Sequence, residues 1–391
     1  MKTIRDFDLK NKRVIVRCDF NVPIKDGKIL DDSKIKASLR TIKYIVKKGG
    51  KAILLSHLGR ITNEDDKKLY SLKPVSLKLS EYLKKEVVFI PVTCGGDAEK
   101  IIKKMKPKDI VLLENTRFED LNKERESKNS KVFAKKLASL GDIFIDDAFG
   151  CVHRSHASNV GIAKLLPSGI GFLMESELKA LSKVTDNVKR PYVVILGGAK
   201  TGDKIGIINS LAKKADFLLI GGKMSFTFLK AAGFNVGLSS VENDSLDYCV
   251  EMLDKYSDKI ILPIDVVTAV SPDDEPKVRF INEIGSDEVI YDIGPQTLKV
   301  FKQYLSDCKT VFWNGPVGYY EIPKFDNGTK ELLSVISKTK AISVVGGGDM
   351  ASATVNLGYG NKVTHISTGG GASLKLIEGK VLPALKVLDE K

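Results

Sequence analysis

"AISVVGGGDMASATV" runs from Ala341 to Val355. A short apolar run stops at three glycines and an aspartate, and a helix-like stretch comes next. An apolar run this short and this β-branched is the pattern of a strand buried on both faces, as in a parallel sheet covered by helices. Glycines at the corner let backbone N–H groups approach an anion closely, and the positive end of a helix starting there adds to the attraction. A Walker-type loop would continue to Lys and then Ser or Thr, and a dinucleotide loop would space its glycines as GxGxxG. This corner does neither, so what it holds has to be read from the rest of the chain.

The same corner recurs. In the first half, strands are expected at 13–17 (RVIVR), 51–56 (KAILLS), 110–113 (IVLL) and 143–146 (IFID). In the second half they are expected at 192–196 (YVVIL), 217–220 (FLLI), 260–264 (IILPI), 311–313 (VFW) and 342–345 (ISVV). Amphipathic stretches at 34–48, 130–139, 204–214 and 327–338 separate them. The pattern predicts two open α/β units of similar size, each a parallel, Rossmann-like sheet with helices on both faces. The break is expected near 174–191, a polar helical stretch ending at Pro191.

Composition narrows the function classes. The 391 residues are enough for two domains, and 43% hydrophobic content is that of a globular chain. No apolar run approaches the ~20 residues of a membrane span. The start, MKTIRDFDLKNKRV, has charges but no apolar core, which is not the pattern of a secretory signal, and a cytoplasmic location is expected. Five scattered cysteines with no CxxC read as reduced thiols rather than a disulfide framework or zinc site. The net charge of +13 raises nucleic acid as a partner. Yet the lysines are spread along the chain without a long basic tract or interleaved aromatics, and a solvated lysine surface is the preferred reading.

The strand-end segments differ between the two halves. The first half offers CDFNVP, HLGR, ENTRF and DAFGCVHRSH, rich in His, Arg and Asn; the second offers GGAKTGDK, GGKMSF, NGPVG and GGGD. In open parallel sheets ligands bind beyond the carboxyl ends of strands. Four glycine stretches at successive strand ends are hard to assign to turns alone. Asp349 is awkward beside a phosphate unless a magnesium ion lies between them; capping the helix is the open alternative. Lys200 and Lys204 are four apart, so one helical turn would put them on one face, where they can neutralise phosphates or simply meet solvent. All four histidines, His57, His153, His156 and His365, lie in strand-end blocks without zinc-like spacing. Only ten of the 62 basic residues are arginines, yet Arg60, Arg117 and Arg154 each come after a first-half strand. A guanidinium fork suits phosphate and carboxylate, which points to a small phosphorylated acid. With no nucleophile–base pairing and no GxSxG, phosphoryl transfer fits, since there catalysis is mostly positioning and charge neutralisation.

Taken together, RVIVRCDFNVP (13–23), SHLGR (56–60), ENTRF (114–118), DAFG and HRSHAS (147–158), GGAK and DKI (197–205), FWNGPVGYYE (312–321), GGGD (346–349) and STGGGASL (367–374) resemble the phosphoglycerate kinase family, in the family's order and over essentially the whole chain. The resemblance implies a bilobal, hinge-bending, monomeric enzyme of glycolysis. It implies phosphoryl transfer between 1,3-bisphosphoglycerate and ADP, with Mg2+ bound to the nucleotide. It implies a 3-phosphoglycerate domain over 1–172, a hinge helix over 173–190, a nucleotide domain over 191–371 and a segment over 372–391 that returns to the first domain. Carried over by position, the phosphoglycerate contacts are Asp19, Phe20, Asn21, Lys34, His57, Leu58, Gly59, Arg60, Arg117 and Arg154. The nucleotide contacts are Gly198, Lys200, Lys204, Gly222, Gly294, Asn314, Pro316, Glu321 at the ribose, Gly347, Gly348, Asp349 and Met350, with Asp349 also the metal residue. Lys34, Lys200, Lys204, Gly347 and Gly370 are the implied catalytic set. Gly369, Gly370 and Gly371 would line the transfer site, with His365 near the hinge.

Three positions depart from the family pattern. An arginine that contacts the transferring phosphoryl group is Lys34 here, which keeps the charge but loses the fork. The Thr or Ser after GGGD is Met350, and a proline usual in an early helix is Arg40. A Rossmann dehydrogenase is excluded by the missing GxGxxG. The remaining rivals are a basic nucleic-acid-binding protein and a catalytically weakened relative that binds nucleotides or anions.

Overall fold

The computed structural model describes residues 1–390 apart from Asn122, Ala199 and Lys200, with Asp203 described by its backbone alone. Contacts group the chain into two compact units: Met1–Leu178 with Val381–Lys391, and Lys179–Lys380. No described helix is long and apolar enough to cross a membrane.

The first unit is built on six parallel strands: β1 Arg13–Arg17, β2 Lys51–Leu55, β3 Val87–Ile90, β4 Ile110–Leu113, β5 Ile143–Asp146 and β6 Ser168–Ile170, in the order β3-β4-β2-β1-β5-β6. Val14, Ile15 and Val16 are all fully buried, because β1 is central and covered on both faces. Register places Arg17 opposite Leu55 on one side and Asp146 on the other. The carboxyl ends of three strands therefore finish level, and the loops beyond them start from one edge. Helix α1, Ser33–Lys47, buries Ile35, Ile42 and Ile45 at helical spacing. Arg40 lies on its exposed side, with its guanidinium 4.5 Å from the centroid of the Phe172 ring, so the helix runs unbroken through this position. Two further helices are α2 Lys131–Ala138 and α3 Phe172–Thr185, the latter belonging to this unit as far as Leu178.

Asp147, just past β5, illustrates how these loops are held. Its Oδ1 accepts from the backbone N–H of Leu173 (2.9 Å) and Met174 (3.2 Å), capping α3. Burial pushes its carboxyl up to about 7. The unfolded chain has the ordinary value near 4, so between about pH 4 and 7 the folded state binds the extra proton. Its stabilisation is therefore complete at acid pH and is lost as pH rises through 7. Asp147→Asn keeps an acceptor for both N–H groups and is expected to shrink the stability difference between pH 5 and pH 8 by roughly 2–3 kcal/mol. Urea unfolding at the two pH values measures this; a wild-type difference in the variant would sink the assignment.

The second unit repeats the architecture with β7 Tyr192–Leu196, β8 Phe217–Ile220, β9 Ile260–Ile261, β10 Asp265–Ala269, β11 Lys277–Phe280, β12 Val289–Ile293, β13 Thr310–Asn314, β14 Ile342–Gly346 and β15 His365–Ile366. Six strands form a parallel sheet, β9-β8-β7-β13-β14-β15, and three form an antiparallel sheet, β11-β10-β12. Its helices include α4 Ile205–Lys214, α5 Gly222–Ala231, α6 Pro295–Ser306, α7 Asn327–Lys338, α8 Gly348–Asn356 and α9 Gly371–Ile377. Of the expected strand over 260–264 only Ile260–Ile261 is strand, and the next strand, β10, starts at Asp265 in the other sheet. Pro263 has no N–H for a ladder, and the N–H groups of Ile264 and Asp265 turn instead to the Thr297 hydroxyl at 2.9 and 3.0 Å.

The last helix, α10 Pro383–Asp389, packs in the first unit, where the Ala384 N–H donates to the Val152 carbonyl at 3.2 Å. The expected single segment 372–391 is therefore divided. Residues up to Lys380 belong to the second unit, where the Ser210 hydroxyl holds the Ile377 carbonyl at 2.7 Å.

Candidate active site

In the first unit the loops after β1, β2 and β4 are stitched together. The Phe20 N–H donates to Ser56 Oγ at 2.8 Å, and the Gly59 N–H to Asn21 Oδ1 at 2.9 Å. Asn115 grips Leu58 from both sides, accepting from its N–H (3.1 Å) and donating to its carbonyl (2.7 Å). Phe20 and Leu58 point into the core, and their backbone groups are spent on holding these loops together. Lys34, in the first turn of α1, reaches Asp19 Oδ2 at 3.0 Å. Arg60 and Arg154 lie exposed, the latter with Nε 3.2 Å from His153 Nε2.

Cationic groups converge here. Arg117 Nη1 donates to the Gly59 carbonyl, while its Nε is buried with no hydrogen-bond partner in the protein. Burial, then the charges of Arg154 and Arg17, lower the pKa of Arg117. Burial and the same cluster, Arg17, Arg117 and Arg154, hold His57 well below its ordinary range and His156 at about 3. The two imidazole centroids are 6.5 Å apart. Neutral histidines beside crowded guanidiniums, one with an unused buried donor, describe a place suited to an anion. The donor atoms of Asp19, His57 and Cys151 lie within 4.8 Å of one another, a spacing a metal ion could use. Arg17 stands 3.1 Å from His57 Nδ1 and 3.9 Å from the Cys151 sulfur, and burial pushes that thiol up to about 12. A divalent cation there would meet a permanent positive charge and a protonated thiol, so the trio does not suit one.

In the second unit a cavity of about 400 Å³ opens at the ends of β7, β8 and β13. Gly198, Gly222, Pro316, Glu321 and Asp349 line it. Leu238, Tyr291 and Tyr319, which the sequence reading did not single out, supply apolar and aromatic walls. That size and lining suit a small organic ligand with a flat apolar part. Lys204 Nζ donates to the Gly197 carbonyl at the end of β7. Lys200 lies outside the described residues. The loop between them is anchored by Glu242, which accepts from the N–H groups of Thr201 (3.0 Å) and Gly202 (2.9 Å). Asn314 ties β13 to β14 through the Gly346 carbonyl at 2.8 Å, beneath the Gly347 turn. Helix α8 starts just past that turn, with open space around Gly348 and with Asp349 exposed in its first turn. An exposed carboxylate beside free helix N–H groups fits a magnesium ion that keeps most of its ligands from water and phosphate oxygens. Gly370 and Gly371 likewise have open space where a side chain would be.

Two expected contacts sit differently. The Met350 side chain is fully buried in the core with Trp313, Val345 and Ala353, because the third position of α8 faces the sheet. Only its backbone N–H remains for a ligand. Gly294 is set back from the cavity wall; a Cβ there would lie 2.2 Å from the Asp265 carboxylate, which caps α6 through Gln296 and Thr297.

Gly222 has φ +57°, and a Cβ on it would lie 2.6 Å from the Pro316 carbonyl oxygen and 2.8 Å from the Gly198 nitrogen. Both are backbone atoms of the cavity wall. Gly222→Ala is expected to cost about 1–3 kcal/mol of stability and, on the resemblance that makes this wall a nucleotide contact, to weaken nucleotide binding about tenfold or more. Calorimetric titration and thermal unfolding check this, and unchanged values in both would refute it.

Parallel sheets that end in cationic and histidine side chains in one unit, and in glycine turns and helix N-termini in the other, define an α/β protein that handles phosphorylated anions. The family model described as phosphoglycerate kinase matches residues 4–380. The chain is 50% identical over 394 residues to the phosphoglycerate kinase of Enterococcus faecalis, covering 100% of this chain and 99% of that protein. It is 50% identical over 398 residues to that of Lactobacillus delbrueckii subsp. bulgaricus, with 99% of each covered. Among solved structures, the phosphoglycerate kinase of Coxiella burnetii superposes with a TM-score of 0.91 at 37% identity, covering 100% of this chain and 99% of the other. That of Pyrococcus horikoshii superposes at 0.87 and 33% identity, with 100% and 98% covered. The chain belongs to the phosphoglycerate kinase family and is a phosphotransferase.

Proposed function

We propose that the chain catalyses reversible phosphoryl transfer from 1,3-bisphosphoglycerate to MgADP, giving 3-phosphoglycerate and ATP, and that it does so in the cytoplasm as a monomer. The observation that carries this reading is the division of labour between the two sets of strand ends. Cations and neutral histidines gather in the first unit, and a glycine-lined cavity opens beside helix N-termini in the second. Asp19, Asn21, Lys34, His57, Arg60, Arg117 and Arg154 hold the acid and its phosphate. The second unit takes the base and ribose in the cavity, with Glu321 at the ribose and the α8 N-terminus at the phosphates. Asp349 would hold the magnesium ion that travels with the nucleotide, and the ion would neutralise phosphate charge. Lys34 and Lys204 stabilise the charge that spreads over the moving phosphoryl oxygens. The acceptor carboxylate is already ionised at neutral pH, so no general base is required.

An assay of the purified chain coupled to ATP formation tests this. Turnover should need 1,3-bisphosphoglycerate and ADP together and should stop on chelation of magnesium. A chain that binds nucleotide but forms no ATP would leave only an anion-binding role.

A further inference from the structure

We infer that Arg17 is a positioning residue for His57, holding the imidazole as the neutral Nε2–H tautomer so that the ring offers an anion a donor rather than a lone pair. Arg17 closes β1 and is fully buried. Its Nη2 lies 3.1 Å from His57 Nδ1. A guanidinium carries only N–H groups and keeps its proton in proteins, so in this contact it can only donate. Nδ1 must then present its lone pair, and the single proton of the neutral ring belongs on Nε2, on the far side of the ring from Arg17. A doubly protonated ring would set N–H against N–H in a buried place.

The guanidinium has little freedom to do anything else. Its Nε donates to Ser158 Oγ at 2.8 Å and its Nη1 to the Cys18 carbonyl at 2.5 Å. Ser158 is in turn held by the fully buried Glu126, through its hydroxyl and through its N–H at 3.0 Å, and Thr116 donates to the same carboxylate at 3.1 Å. A relay thus runs from Glu126 through Ser158 and Arg17 to His57, inside the first unit. The gain is one of sign. An unconstrained histidine spends part of its time with a lone pair toward the ligand, which repels phosphate and carboxylate oxygens. The pinned ring presents N–H at all times, without carrying a charge that would have to be buried beside Arg17.

This inference rests on the reading of His57 as a phosphoglycerate contact, and the experiment separates the two. A long-range 1H–15N NMR spectrum of the wild-type protein, with His57 assigned from a His57→Gln variant, should show the Nε2–H tautomer without ligand. The signal should stay unchanged between about pH 5 and 8. Arg17→Met leaves Glu126 stranded and can unfold the unit, so it is combined with Glu126→Gln. In that double variant the His57 signal should become a tautomer mixture. The KM for 3-phosphoglycerate should rise about tenfold, with kcat within about twofold of wild type. A merely structural role for Arg17 would lower the folded fraction and leave the tautomer unmoved. An Nδ1–H or doubly protonated ring in the wild type overturns the inference, as does an unaltered tautomer in the double variant. If the tautomer behaves as expected while His57→Gln leaves the phosphoglycerate KM unchanged, the hold of Arg17 stands and the binding reading alone falls.

Discussion

Lys34→Ala is expected to lower turnover by about a thousandfold, the lower end of what a cation acting on a transferring phosphoryl group contributes, while Lys34→Arg should hold or raise it. In the wild-type protein the Lys34 ammonium is paired with Asp19 at 3.0 Å, and Asp19 is nearly buried. Truncation to alanine therefore does two things. It removes a positive charge from the place where the resemblance puts one beside the moving phosphate. It also leaves the Asp19 carboxylate unneutralised in a site meant for anions, so the KM for phosphoglycerate should rise along with the fall in kcat. Arginine restores two parallel donors that an ammonium cannot supply, and it keeps a partner for Asp19. Steady-state kinetics of the three proteins decide the matter. Equal turnover in all three would remove Lys34 from the mechanism; equal inactivity with intact nucleotide binding would remove the mechanism from the chain.

Lys204→Ala should cut kcat by about a hundredfold or more while changing nucleotide affinity by less than about tenfold. Charge placed where the transition state gathers its negative charge affects rate more than ground-state binding. The Lys204 ammonium is half-buried and donates to the Gly197 carbonyl at the glycine turn after β7, so its position is already set before a ligand arrives. Calorimetry for the nucleotide and single-turnover rates for the chemistry separate the two effects. Near-normal turnover would refute the role, and a loss confined to affinity would recast Lys204 as a binding group.

The central strands of both sheets were readable because a strand covered on two faces must be apolar throughout, and RVIVR, YVVIL and VFW allow few other fates. Two edge strands were not readable: His365–Ile366 is two residues long, and Ser168–Ile170 carries a serine and a glycine. The antiparallel sheet was hidden by its polar positions. Asp265, Thr268, Glu288 and Asp292 are buried there by helix caps and an ion pair to Arg279 rather than by apolar pattern. Asp19, His57, Arg117 and Arg154 are brought together as their strand-end positions suggested. Arg17 was passed over, although a charge closing an apolar strand is itself a signal. Glu126 had none: it sits in the charged run ERESKNS, which reads as a solvated loop, and the partner that buries it, Ser158, is 32 residues away. Met350 departs from the family's Thr or Ser in sequence, yet in the structure its side chain fills the core.

The packing of α10 into the first unit also sets an order in time. The ribosome makes this helix after all of Lys179–Lys380, about 200 residues beyond the point where the rest of the first unit has been synthesised. At roughly 5–20 residues per second that is a wait of about 10–40 s. Throughout it the nascent first unit displays the apolar surface that Ala384, Val387 and Leu388 later cover, while the second unit has its whole sequence in hand before α10 exists. Proteolysis of stalled nascent chains should find the later-made unit reaching full resistance first, and the unit at the amino end reaching it only once α10 has cleared the exit tunnel. The part of the chain that is born first is finished last.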